Sequence, residues 1–217
     1  MDLNIYNNKL GTWLLVAEGC VVTEKTRIGE FWEDELEPIF EKIAPDSVMI
    51  EVGSYVGSHT VLLSRKCQKV YSFEANTRNY RQLGANLLLN DCDNVDSYNL
   101  CMGAVSGRAT VQHPPEGWSD ACTVFKVNED GDTAVYTLDS QLPFLDRLDW
   151  LKTDCEGMDL EVLMGAKNLI MKFKPTIIYE RNWTATKYSE EEHAAWLDSV
   201  GYTTSHIGGW NWLAVPK

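Results

Sequence analysis

The sequence predicts an α/β fold: a mostly parallel sheet with helices on both faces, closed by a C-terminal antiparallel hairpin. Three observations carry this. Short apolar runs alternate with stretches of helical periodicity, the rhythm of parallel strands joined by crossover helices. A glycine-bearing turn, Gly53 to Gly57, falls where one such run gives way to a helix. Near the end, two short alternating runs flank Gly208-Gly209, the pattern of a hairpin.

The elements follow in order. Trp32, Leu36, Ile39, Phe40 and Ile43 recur at helical spacing, and Pro45-Asp46 ends that helix. Residues 1–45 are therefore expected to form a helical cap on a core spanning 46–217, all within one domain. Residues 47–51 read as a buried strand, 58–66 as a helix and 69–73 as the next strand. A helix over 76–90 carries Tyr80, Leu83 and Leu87 on one face, and a third strand fits 95–100. Residues 109–112 and 123–127 look like added strands around a polar loop at 113–120. The alternation resumes with a strand at 149–153, a turn at 154–157, a helix over 160–173, a strand at 175–179 and a helix over 190–200. The hairpin pairs 203–207 with 210–215.

Composition narrows the function. The chain has 217 residues, 44% hydrophobic, with 19 Lys+Arg against 32 Asp+Glu, a net charge of −13. Such a field repels phosphate backbones and anionic membranes, so neither nucleic acid nor a membrane is an expected partner. No basic start followed by an apolar stretch opens the chain, and no apolar window reaches membrane-spanning length. The six cysteines lack CxxC pairs and suit a reducing, cytoplasmic setting. Asn182-Trp183-Thr184 reads as a chance glycosylation sequon.

The chemistry concentrates at strand ends. Gly53 and Gly57 let the backbone turn tightly beside a ligand, and Glu51 lies two residues before the first of them. Glu74 closes the second strand, where a carboxylate accepts from the two hydroxyls of a ribose. A dinucleotide site would show GxGxxG and aim a helix at a pyrophosphate. Here the spacing is GxxxG, and an acid stands where phosphate would be repelled. S-adenosylmethionine, with an ammonium, a ribose and no phosphate, fits better; a plain packing turn is the alternative for GxxxG alone.

Residues 50–60 (IEVGSYVGSHT), 71–76 (YSFEAN), Thr137-Leu138-Asp139, 151–157 (LKTDCEG) with 163–166 (LMGA), and 175–180 (PTIIYE) resemble the ordered motifs of FkbM-type methyltransferases. The resemblance runs from about residue 28 to 182. It implies a class I, Rossmann-like fold with a seven-stranded sheet and S-adenosylmethionine as cofactor. It also implies O-methylation of a hydroxyl, often on sugars or secondary metabolites. Ser54-Tyr55 departs from the Ala-Asn common in the family. The resemblance further implies that Glu51, Gly53, Tyr55, Gly57 and Thr60 border the methionine end, Glu74 the ribose, and Cys101 and Met102 the adenine, with Ser119 and Asp120 near the substrate.

Methyl transfer to an alcohol requires removal of a proton. Asp154 and Glu156 close the fourth strand and Glu180 the fifth, so all three should converge. Asp154 is the preferred base and Glu180 the second choice. Lys152, on the same side of its strand, would orient Asp154 and stabilise its charge; Lys152 and Glu156 would alternatively form a charge pair fixing the turn. A second reading makes Asp154, Glu180 and Asn182 oxygen ligands of a divalent cation, Mg or Mn, as in catechol-type O-methyltransferases. His59 reads as a pocket wall, and His113, His193 and His206 as packing or surface residues. Cys155, flanked by two acids, is no nucleophile. Trp183, Trp210 and Trp212 offer either an aromatic floor for a sugar or core packing.

The expected activity is O-methylation of a sugar or glycan hydroxyl. The Asn/Asp-Pro-Pro-Tyr/Phe signature of amino-group methylation is absent. Alternatives are O-methylation of a small secondary metabolite, or an inactive module that binds the cofactor only.

Overall fold

The computed structural model describes residues 4–15, 20–112, 124–182 and 185–217. The chain opens with β1 (Ile5–Asn8) and β2 (Gly11–Leu14), then α1 (Val21–Ile28), a 3-10 turn at Asp34–Leu36 and α2 (Glu37–Phe40). Next come β3 (Val48–Val52), α3 (Thr60–Ser64), β4 (Lys69–Phe73), α4 (Thr77–Leu89) and β5 (Val95–Tyr98). Four short strands follow: β6 (Cys101–Met102), β7 (Gly107–Gln112), β8 (Val124–Val127) and β9 (Thr133–Tyr136). The remainder is α5 (Leu138–Gln141), β10 (Trp150–Thr153), α6 (Asp159–Gly165), α7 (Lys167–Phe173), β11 (Thr176–Glu180), α8 (Glu190–Ser199), β12 (Tyr202–Gly208) and β13 (Asn211–Pro216).

The central sheet has seven strands in the order β12-β13-β11-β10-β3-β4-β5. The five from β11 to β5 are parallel, and β13 runs antiparallel to both β11 and β12. This is the expected mostly parallel sheet with its terminal hairpin. Alternate residues face opposite layers. Ile50, Leu151 and Ile177 pack with Leu138, Leu163, Ile170 and Leu197 on one face. Met49, Val70 and Ile178 pack with Leu36, Ile39, Phe40 and Leu63 on the other.

Several motifs have structural reasons. Asn76 caps α4, its side chain accepting from the backbone of Arg78 at 2.9 Å. Asp139 accepts from the N–H groups of Asn168 and Leu169, both at 3.0 Å, and so satisfies the start of α7. Gly165 approaches the loop after β6 so closely that a Cβ would lie 2.0 Å from the carbonyl oxygen of Gly103. Ser189 and Glu192 form a reciprocal capping box at the start of α8.

Three expectations need correction. The N-terminal segment is not purely helical, because it begins with the β1–β2 hairpin. The helix predicted from Trp32 starts later, because Glu33 adopts a left-handed conformation (φ 62°) that ends helical continuity. Trp32 consequently leaves the helix face, while Leu36, Ile39, Phe40 and Ile43 are buried as expected. The helix over 160–173 is two helices, divided at Ala166. A second sheet, in the order β6-β9-β7-β8, packs beyond β5; the added strands at 109–112 and 123–127 belong to it as β7 and β8, but β6 and β9 were not foreseen. Ser119, Asp120, His113, Cys122 and Trp183 lie outside the described residues.

Candidate active site

Parallel register brings the tips of β3, β4, β10 and β11 to one edge, where open α/β sheets hold ligands. A cleft of about 500 Å³ opens there, lined by six carboxyl side chains: Glu33, Glu51, Glu74, Asp154, Glu156 and Glu180. Among the described residues no lysine or arginine lines it. Gly53, Tyr55, Cys101 and Met102 also form its wall. Gly57, Thr60, Lys152 and Asn182 do not; they support the wall from behind.

The turn after β3 is fixed by backbone contacts. Gly53 (φ 87°) donates to the carbonyl of Phe73 at 2.9 Å, and a Cβ on it would fall 1.7 Å from the carbonyl oxygen of Asp154. Only glycine lets β3 and β10 end this close together. Tyr55 and Asn76 each donate a backbone N–H to Glu74, at 2.7 Å to Oε2 and Oε1 respectively. The Asn79 side chain donates to it as well, so of the four acceptor sites of the carboxylate one is left for a ligand. Burial pushes Glu74 up to about 7, against these three bonds. Behind the wall, Thr60 donates its hydroxyl to Glu51 Oε2 at 2.6 Å. Burial raises Glu51, opposed by Lys152 and this hydroxyl.

Glu51 and Lys152 are register partners on adjacent strands. Lys152 is fully buried and donates to Asp154 Oδ2 at 2.9 Å. Burial alone would lower the lysine, but Asp154, Glu51 and Glu33 together hold it above its ordinary range. It is therefore a buried cation beside the cleft, with its ammonium on Asp154. Glu156 takes a left-handed turn (φ 50°) and accepts from Asn182 Nδ2 at 3.1 Å. The charge pair considered for Lys152 and Glu156 is replaced by Lys152–Asp154. Burial, then Asp154, pushes Glu156 up to about 7.

Glu180 is 5% exposed, and its Oε2 has no hydrogen-bond partner among the described residues. Burial and the surrounding carboxylates push it up to about 11. A carboxyl raised this far favours its neutral form, which argues against its use as a base.

Two residues of the site were not foreseen. Glu33 enters from the N-terminal segment, held by Asn211 Nδ2 at 2.7 Å from β13, and burial then Asp154 push it up to about 7. Asp159, at the start of α6, accepts from the Cys155 N–H and is likewise pushed to about 7, first by burial. His59 packs between Phe31 and Phe40, with Nε2 3.0 Å from the Trp32 carbonyl. Burial lowers it to about 4, so it is a neutral wall residue, as expected. Burial raises the Cys155 thiol well above its ordinary value. Trp212 packs against Tyr179, whereas Trp210 lines the cleft and is 43% exposed.

For the metal reading, Asn182 turns its amide toward Glu156, and Lys152 already engages Asp154. Among the described residues the cluster with ligand atoms within 4.8 Å of one another is Glu33, His59 and Asp154. No helix among the described residues is long and apolar enough to cross a membrane.

Sheet order and strand-tip site together define a class I methyltransferase fold. Residues 51–204, more than half of the chain, match the methyltransferase FkbM domain. The chain belongs to the FkbM methyltransferase family. Among solved structures it is similar to methyltransferase FkbM from Methylobacillus flagellatus, with a TM-score of 0.59 and 15% identity. That match covers 93% of this chain and 56% of the other, so this chain spans little more than half of that protein's length. It is also similar to precorrin-6y C5,15-methyltransferase from Geobacter metallireducens, with a TM-score of 0.51, 14% identity, and 82% and 85% of the two chains covered. A third similar structure is precorrin 8w decarboxylase from Methanobacterium thermoautotrophicum, with a TM-score of 0.50, 15% identity and coverage of 83% and 86%. At such identities these likenesses establish the fold. Among curated proteins no sequence matches.

Proposed function

We propose that the protein transfers a methyl group from S-adenosylmethionine to a hydroxyl of a sugar or glycan. The observation that carries this is the cleft itself: six carboxyl groups, no lysine or arginine among the described lining residues, and an exposed tryptophan. The donor set fits this cofactor and opposes a dinucleotide, because no lining lysine or arginine would receive a pyrophosphate. Glu74 would hold a ribose hydroxyl at its remaining acceptor site, and Glu51, braced by Thr60, would face the cationic methionine end. Bound S-adenosylmethionine supplies an electrophilic methyl group.

Asp154 is the base in this reading. Its Oδ2 is pinned by Lys152, and its side chain is 25% exposed, so the other oxygen can take a proton from an acceptor hydroxyl. Glu180 and Glu156 would position the acceptor, and the face of Trp210 would support a sugar ring. The contacts favour a metal-free reaction, because the Lys152 ammonium already supplies the charge a divalent cation would bring to Asp154.

The test is methyl transfer to a saccharide panel, with products assigned by mass and NMR, with and without EDTA. O-methylated sugar formed equally in chelator supports the reading. Methylation confined to non-sugar acceptors would point to the secondary-metabolite alternative, and cofactor binding without turnover to an inactive module. Loss of activity in EDTA would restore the metal.

A further inference from the structure

The acceptor side of the cleft is one-sided in charge. Glu33, Asp154, Glu156 and Glu180 line it without a lysine or arginine among the described residues. Lys152 lies behind the wall and is committed to Asp154 at 2.9 Å. Independently, Glu180 is 95% buried by exposure of 5%, and its Oε2 lacks a hydrogen-bond partner among the described residues, as does Oε2 of Glu33. Buried polar atoms of this kind are ordinarily satisfied, so a ligand that fills the cleft is required to bring donors to them.

An ammonium brings three donors and a compensating charge, and a hydroxyl brings one donor. A phosphate or carboxylate brings acceptors and like charge. One like-charge pair about 5 Å apart, at an effective dielectric of about 20, disfavours binding on the order of a hundredfold. Rejection of the wrong ligand by repulsion is as effective in setting specificity as attraction of the right one.

We infer that the acceptor is a sugar free of phosphate and carboxylate, that an amine-bearing sugar is favoured over its neutral counterpart, and that Glu156 sets this selectivity. The inference rests on the saccharide reading above and removes nucleotide-linked and phosphorylated sugars from it. The methylated atom remains a hydroxyl; the amine is a recognition group.

The experiment compares kcat/KM for glucosamine, glucose, glucose phosphate and UDP-glucose in the wild-type protein and in Glu156→Gln. Each ratio between acceptors is taken within one variant, so a general loss of activity cancels. Glucosamine is expected to exceed glucose by about tenfold, and the two phosphate-bearing acceptors to fall about a hundredfold below it. Glu156→Gln should narrow the gap between phosphate-bearing and neutral acceptors by about tenfold. Phosphate-bearing acceptors used as well as glucose, or ratios unchanged in Glu156→Gln, would overturn the inference while leaving the saccharide reading standing. Methylation of none of these sugars, nor of any other saccharide in the panel, would overturn both.

Discussion

Replacement of Lys152 by methionine tests whether the buried ammonium organises the site. Methionine keeps much of the aliphatic stem and removes the charge. At 2.9 Å and an effective dielectric of about 20, the attraction between Lys152 and Asp154 is about 6 kcal/mol. Part of this returns as hydration, because Asp154 is a quarter exposed. Glu51, fully enclosed beside the lysine, has no such recourse. Breaking a buried pair by removing one partner costs about 3–5 kcal/mol, which for a domain of this size lowers Tm by roughly 10 °C. The loss should shrink at acidic pH, where Glu33 and Glu51 take up protons and no longer need a counter-charge. It should also be partly recovered in the double variant with Glu51→Gln, giving a coupling of about 1–3 kcal/mol. Calorimetry of the four proteins measures this cycle. A Tm for Lys152→Met within about 2 °C of wild type, or strict additivity with Glu51→Gln, would refute the role of Lys152 as internal cation.

Gly53→Ala should lower stability by about 3 kcal/mol through its clash with the Asp154 carbonyl and its positive φ, whereas Gly84→Ala on α4, with open space around it, should leave stability unchanged or slightly raised; thermal melts decide both. Asp154→Asn should slow methyl transfer about a hundredfold while changing cofactor affinity less than about threefold, measured by turnover and titration side by side. Stability should fall as pH rises. Glu74, Glu156 and Asp159 are raised from 4.5, 4.5 and 3.8 to about 7 in the fold, so their contribution is complete below the unfolded values and is lost as pH passes through about 7. One such group is worth on the order of 3 kcal/mol, so Tm at pH 5 should exceed that at pH 8 by about 5–10 °C, and a flat or rising profile would contradict these assignments.

The strand-tip acids were legible because strand ends have a sequence signature. Glu51, Glu74, Asp154 and Glu180 each follow an apolar run, and parallel register then places them at one edge. Thr60 was visible, but its role was not: spacing places it after the turn without showing that its hydroxyl points back to Glu51. Glu33 carried no periodic signal. It sits in a left-handed bend outside regular structure, held by a residue 178 positions away. The second sheet was half-visible, since β6 has two residues and β9 four, too few for alternation to stand out. The break at Ala166 escaped notice because Leu163-Met164-Gly165-Ala166 keeps helical periodicity, and only the approach of Gly165 to Gly103 shows why the helix divides.

The most direct test of the account is titration of S-adenosylhomocysteine into the wild-type protein, Glu74→Ala and the exposed control Glu41→Ala, with folding of each confirmed by its melt. One-to-one binding that weakens at least about tenfold in Glu74→Ala, from the lost ribose contact, and stays unchanged in Glu41→Ala is the predicted result. No binding to the wild-type protein, or equal affinity in all three, would contradict it.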